Sequence, residues 1–258
     1  EATSPGSARD LSGLQQKEDV LHRLIDVWTT GEAAAALGFG TARLLDELDV
    51  LERRVFSRLA EKGIERGSAR TKALEKAADE ALAYFAELAK SPQRRNAARL
   101  AELEADELVR YARLDAVADV LSPAVKLWNT GHGATMMREA VSLMGGYGIT
   151  ENCPGFLGYK WMDAQLEATY EGPEAVQRRQ LSVTMTRDLF LAQYRAWVNE
   201  MRDISSDRPG SGACTLATAM QMWLWTLQFL QRSTDAEGRK LYQSARQGVT
   251  FPLADALC

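Results

Sequence analysis

The alternation of apolar and polar positions marks the chain as helical almost throughout. Apolar residues recur at spacings of three and four, as they do on one buried helix face, and no sustained alternation of period two marks a strand. A first helix is expected from Leu14 to about Thr29. A second, Ala33 to about Lys62, aligns Leu44, Leu48, Leu51, Val55 and Leu59 on one stripe, and Gly63 and Gly67 mark its exit. The third, Ser68 to Lys90, repeats the pattern with Leu74, Ala78, Leu82, Phe85 and Leu88. Ser91-Pro92 reads as the start of a fourth helix reaching about Leu121, and Ser122-Pro123 as the start of a fifth ending at Gly145-Gly146. Long helices on short connections lie beside antiparallel neighbours, so the expected fold is all-α, an antiparallel helical bundle.

The rhythm fails over residues 145–172, GGYGITENCPGFLGYKWMDAQLEATYEG, where six glycines and one proline sit among aromatics and carboxylates. A connection of that length inside a bundle points to function. Helix resumes at Pro173, with Gly172 as N-cap, and extends to Met201. Asp207 to Gly212 reads as a linker, and an extra C-terminal helix runs from Ala213 to about Arg232. These boundaries divide the chain into a mobile lead-in at 1–11, a bundle at 12–206, and a linker with helical extension at 207–258. The last helix holds 18 consecutive uncharged residues, Ala213 to Leu230, a length that admits a membrane span. Thr215, Thr218, Gln221 and Gln228 interrupt it, and Trp223 and Trp225 lie mid-segment rather than at the two interfaces. A core or subunit-interface helix in a soluble protein is the expectation.

Composition narrows the function classes. The 258 residues hold 31 Lys+Arg against 35 Asp+Glu, a net charge of −4, without the basic surface that nucleic acid requires. Cys153, Cys214 and Cys258 are widely spaced and form no C-x-x-C. They argue against a disulfide scaffold and a zinc site, and for a reducing, cytoplasmic compartment. His22 and His132 alone make no metal constellation, and no metal is expected. Gly38-Phe39-Gly40 lacks the third glycine and preceding strand of a dinucleotide fingerprint, and no phosphate-binding loop, H-E-x-x-H or G-x-S-x-G occurs. Glu1 stands where an initiator Met would, which suggests a processed, truncated or partial chain.

One stretch carries recognisable chemistry. Ala124-Val125-Lys126 precedes the run Arg138 to Glu151, which contains Gly145-Gly146-Tyr147-Gly148. Asp163-Ala164 follows, and then Tyr170-Glu171-Gly172-Pro173-Glu174-Ala175-Val176-Gln177-Arg178. In that order and at nearly those separations, over about residues 123–187, these motifs resemble the C-terminal helical domain of acyl-CoA dehydrogenases. The resemblance implies FAD-dependent α,β-dehydrogenation of an acyl-CoA thioester, with electrons passing to an electron-transfer flavoprotein. It implies Glu171 as the base, its own backbone N–H being one donor to the thioester carbonyl.

A glutamate suits that task, because burial against an apolar acyl chain raises its pKa toward neutrality. The helix start behind it offers further N–H groups. Two other readings stay open: Glu171 as a plain helix-start carboxylate, and Glu174 or Glu167 as the base. Gly145, Gly146 and Gly148 match the family's loop toward the FAD diphosphate and adenosine of a neighbouring subunit; an ordinary C-cap explains one glycine of the three.

Ser142 and Pro173 fall where the family carries a flavin-contacting Gln and Thr. Tyr170, Gly172 and Trp161 are placed at the acyl or flavin pocket, with core packing as the equal alternative for the two aromatics. Met162 stands in place of an Arg. These departures also allow a non-catalytic paralogous subunit that stabilises an active partner, and a helical scaffold is the third alternative. The family's N-terminal helical and middle β-domains have no counterpart here. A longer polypeptide or a homo- or hetero-oligomer is expected to supply them and complete the FAD site.

Overall fold

The computed structural model describes residues 17–258; the lead-in at 1–11 and the expected start at Leu14 lie outside the described residues. The fold is all-α, as the periodicity requires, and several boundaries move. Helix α1 runs unbroken from Glu18–Glu61 through the interruption expected at 30–32. A single Gly31 costs about 1 kcal/mol in a helix, and the four alanines Ala33–Ala36 behind it restore propensity. Helix α2 spans Ser68–Leu88.

The expected fourth helix is three pieces: a 3₁₀ turn at Pro92–Arg94, α3 at Ala97–Ala105 and α4 at Glu107–Lys126. Two short polar side chains make the breaks. Asn96 Oδ1 accepts the Arg99 N–H at 3.1 Å, and Asp106 Oδ1 accepts that of Leu108 at 2.8 Å, each an N-cap that ends one segment and starts the next.

Ser122-Pro123, conversely, starts nothing. Pro123 is buried inside α4, and the chain continues through a π-helical turn, Leu127–His132, into α5, Gly133–Leu143. The Thr130 hydroxyl donates to the Lys126 carbonyl at 2.6 Å, satisfying an acceptor at the start of the widened turn. Residues 145–172 are not one loop either. A 3₁₀ turn at Gly145–Ile149 and another at Pro154–Phe156 lead into α6, Leu157–Glu167. No residue of α6 is fully buried, so it carries no clean apolar stripe for the sequence to reveal.

The helix expected from Pro173 to Met201 divides at Met185–Arg187 into α7, Glu174–Thr184, and α8, Asp188–Asp207. Helix α9 covers Ala213–Arg232 as expected, and an unanticipated α10 covers Gln247–Asp255. Among the described residues the only strand-like pairing is an isolated bridge between Thr234 and Lys240. None of their helices is long and apolar enough to cross a membrane, and no group of potential metal ligands is gathered among them.

The chain divides into two compact units, one formed by residues up to Gly40 with Val125–Val176, the other by Thr41–Ala124 with Gln177–Cys258. In the second, Leu48, Leu51, Val55 and Leu59 of α1 pack with Tyr111 and Ala118 of α4, while Ala81, Tyr84 and Phe85 of α2 pack with Leu103, Val109 and the α8 residues Leu189, Ala192 and Ala196. Helices α8 and α9 lie antiparallel across a short turn, with the Tyr194 and Trp223 rings 5.1 Å apart. The C-terminal segment is tied back: Trp223 Nε1 donates to the Leu253 carbonyl at 2.9 Å, Arg178 pairs with Asp255 at 2.7 Å, and the Tyr242 hydroxyl donates to the Ser182 carbonyl.

The first unit holds the start of α1 against the π-helical turn and α5. Arg23 pairs with Glu139, the Thr30 hydroxyl lies 3.3 Å from His132 Nε2, and Asn129 Nδ2 donates to the Ala34 carbonyl at 3.2 Å. His132 also stacks on Trp128 at 4.2 Å.

Candidate functional site

Every sequence-derived site residue falls in the first unit. The turn between α6 and α7 carries four of them. Tyr170, Glu171 and Pro173 are exposed, and Gly172 is half-buried. Glu171 adopts a left-handed φ of 49° and Gly172 one of 93°. For a residue with a side chain that conformation costs about 1–3 kcal/mol and persists only where its surroundings over-determine it.

Lys126 provides part of that restraint. Its Nζ donates to the Tyr170 carbonyl at 2.7 Å and lies 5.0 Å from the Tyr170 ring centroid. Lys126 belongs to the Ala124-Val125-Lys126 motif, and its place at the end of α4 gives it this contact. The Tyr170 hydroxyl donates to Glu167 Oε2 at 2.7 Å. That bond, with some desolvation and the nearby charges of Glu167 and Glu171, raises the phenol pKa above its ordinary 10.

The three carboxylates are therefore distinguished. Glu167 is engaged by Tyr170. Glu174 is half-buried, with its carboxylate so close to Gly131 that a Cβ there would stand 3.2 Å from Glu174 Cδ. Glu171 is exposed at the tip of the turn, directly before the first turn of α7. Its side chain has no apolar cover from the chain's own described residues, so any burial must come from a bound substrate or a neighbour.

Pro173 precedes α7 rather than opening it, one residue later than anticipated, and its carbonyl accepts the Val176 N–H at 2.8 Å. It has neither hydroxyl nor N–H to offer a ligand. The Ser142 hydroxyl is likewise committed, donating to the Arg138 carbonyl of its own helix at 3.0 Å. Trp161 is half-buried on α6.

The three glycines separate by function. Gly145 has φ +61°, the left-handed helix-ending position. Gly148 is buried, and a Cβ there would come within 2.5 Å of the Val141 carbonyl oxygen. Gly146 is exposed, and nothing lies within 4 Å of the position its Cβ would take. Gly158, which no motif marks, lets α6 lie against this turn, since a Cβ there would stand 3.2 Å from Ile149 Cα. The glycine turn thus abuts the start of α6 and Glu171 follows its end, roughly 16 Å apart at 1.5 Å per residue over its 11 residues. They form two separate places, not one pocket.

Fold and site together define a helical domain that presents a carboxylate at one end of a helix and bare glycine backbone at the other. Residues 58–186, half of the chain, match the family model described as "Acyl-CoA dehydrogenase, C-terminal domain". The chain belongs to that family. The match begins far upstream of residue 123, so it takes in α2, α3 and α4 as well as the motifs. No curated protein and no solved structure matches the chain.

Proposed function

We propose that the chain supplies the base-bearing helical domain of an FAD-dependent acyl-CoA dehydrogenase, with Glu171 taking the α-proton of an acyl-CoA thioester. The carrying observation is the strained turn: Lys126 clamps the Tyr170 carbonyl and the following residue, Glu171, is left-handed and exposed ahead of α7. A carboxylate needed only to favour a helix start gains nothing from that conformation. Family membership supplies the reaction class.

In this reading a Glu171 carboxylate oxygen receives the proton. The backbone N–H of Glu171, with those at the start of α7, polarises the thioester carbonyl and stabilises the charge that develops there. When bound, FAD accepts the β-hydride, and electrons then pass to an electron-transfer flavoprotein. The exposed Gly145-Gly146 backbone suits approach of the flavin diphosphate, Ser142 keeps an exposed hydroxyl oxygen that can accept, and Pro173 offers only ring surface there. Because the two places lie at opposite ends of α6, the glycine turn serves the site of a neighbouring subunit. Apolar cover for Glu171 and the β-structure of the flavin site come from outside the described residues. Exposed Ile149, Met162 and Leu166 supply surface for such a neighbour. Three free cysteines suit a reducing, cytoplasmic setting.

In the complete flavoprotein assembly, Glu171→Gln is expected to slow substrate-dependent flavin bleaching by a factor of ~10²–10⁴ while flavin content stays constant. Bleaching at the unaltered rate would overturn the assignment of the base. It would favour the second reading, a non-catalytic subunit stabilising an active paralogue, to which Ser142, Met162 and Pro173, standing where the family carries Gln, Arg and Thr, lend support.

A further inference from the structure

The turn that carries Glu171 is held on both sides by one piece of unusual helix. The π-helical turn Leu127–His132 joins α4 to α5, and such turns are rare and gather at functional sites. Lys126 immediately precedes it, and Gly131 follows five residues on. In an α-helix, at 3.6 residues per turn, residues five apart point about 140° away from one another. The i→i+5 hydrogen bonding of a π-helical turn sets them one above the other instead. The segment Tyr170 to Glu174 meets both. Lys126 Nζ donates to the Tyr170 carbonyl at 2.7 Å. The Glu174 carboxylate lies over Gly131, where a Cβ would stand 3.2 Å from Glu174 Cδ and 3.3 Å from Glu174 Oε1. Glu171, left-handed at φ 49°, falls between these two contacts. Glycine is unfavourable inside a helix, and at 131 its missing side chain leaves the space that the carboxylate occupies.

We propose that the π-helical turn is the positioning element for the base, with Lys126 and Glu174 as positioning residues on either side of Glu171. This rests on Glu171 being the base. Lys126 fixes the peptide that enters the left-handed residue. Glu174, seated on Gly131, fixes the first residue of α7, which leaves it. With both ends held, the Glu171 carboxylate and backbone N–H keep one direction towards a substrate, and a misplacement of about 1 Å costs on the order of 100-fold in rate.

In the complete flavoprotein assembly, Lys126→Met and Gly131→Leu should each slow flavin bleaching at saturating acyl-CoA at least fivefold, with KM and flavin content unchanged. Leucine favours helix, so Gly131→Leu displaces Glu174 without loosening the helix beneath it. Lys126→Arg, which keeps a donor, should recover most of the lost rate. In an assembly already carrying Glu171→Gln, Lys126→Met should slow the residual reaction no further, because it acts through that carboxylate. In the chain alone, a glutamyl-specific protease should cut after Glu171 several times faster in Lys126→Met and Gly131→Leu than in the parent, as read by mass spectrometry. Far-UV circular dichroism establishes folding, and should Lys126→Met not fold, Gly131→Leu carries the test. Beside a slowed Glu171→Gln, parental bleaching or parental cleavage by the folded variants removes the positioning role alone. So does a Lys126→Arg as slow as Lys126→Met, or a Lys126→Met that slows the Glu171→Gln assembly by the same factor. Should Glu171→Gln itself bleach at the parental rate, the base assignment falls and this proposal with it.

Discussion

Gly145, Gly146 and Gly148 look equivalent as letters, yet each answers to a different constraint. An alanine at 148 forces its Cβ against the Val141 carbonyl oxygen, and overpacking of that kind costs about 1–3 kcal/mol. At 145 the left-handed backbone makes alanine cost about 1–2 kcal/mol. At 146 neither penalty applies, so Gly146→Ala should leave urea stability within about 0.5 kcal/mol of the parent chain. The same substitution in the assembled flavoprotein should lower flavin retention, because a methyl group there would stand between the exposed backbone and the flavin diphosphate proposed to approach it. Urea melts of the three variants, with flavin absorbance after gel filtration, separate the cases. Full flavin retention by Gly146→Ala would remove the glycine turn from the cofactor site.

At the scale of elements, α4 faces both α1 and α8 with charge as well as apolar contact. Its Asp115 is partly desolvated, and Asp119 and Glu52 lie near enough to add repulsion. Together these raise the Asp115 pKa above its ordinary 3.8, against the opposing pull of Arg187. Arg187 itself is paired with Asp119. A carboxyl whose folded pKa is raised contributes its stability below the unfolded value and loses it as pH rises through the folded one. Asp115→Asn should therefore melt higher than the parent at neutral pH, and the gap should close as pH falls below about 3.8. Thermal melts at the two pH values check this; a gap that widens on acidification would reverse the sign. Element boundaries follow similarly local causes. Asn96 and Asp106 cut a stretch that hydrophobic periodicity reads as one helix, and the alanines behind Gly31 join a stretch that glycine reads as two.

At the scale of the whole molecule, apolar surface is left uncovered. Trp28 is 68% exposed and Phe39 80% on the first unit. On the second, α9 buries Trp223, Leu224 and Leu227 yet presents Met222, Trp225 and Phe229 outward. Exposed patches of this kind mark association sites, in keeping with the oligomer proposed above. Trp225, 61% exposed, has little to lose in the fold itself. Trp225→Lys should give smaller species in sedimentation analysis at equal concentration, with helix content unchanged. An undiminished mass would place the interface elsewhere.

The sequence by itself determined the all-α class, because a 3.6-residue apolar period cannot be buried by a sheet. It also determined the family, because the G-G-Y-G and Y-E-G-P-E-A-V-Q-R runs are ordered on the chain. It bounded α2 and α9 closely, where a serine start and a Pro-Gly linker leave little choice. Tertiary structure decided the rest. Helix α6 emerged from an apparent loop because it leans on the glycine turn through Gly158 rather than burying a stripe of its own. Pro123 stayed inside a helix, because its buried neighbours outweigh one missing donor. Glu167, Glu171 and Glu174 took different surroundings from Tyr170, Lys126 and Gly131, with Lys126 reaching the Tyr170 carbonyl across 44 positions. Helix propensity and apolar period act over a few residues and can be read in order. The Lys126 bond to Tyr170 ahead of the left-handed Glu171 and the approach of Glu174 to Gly131 arise only when distant segments meet.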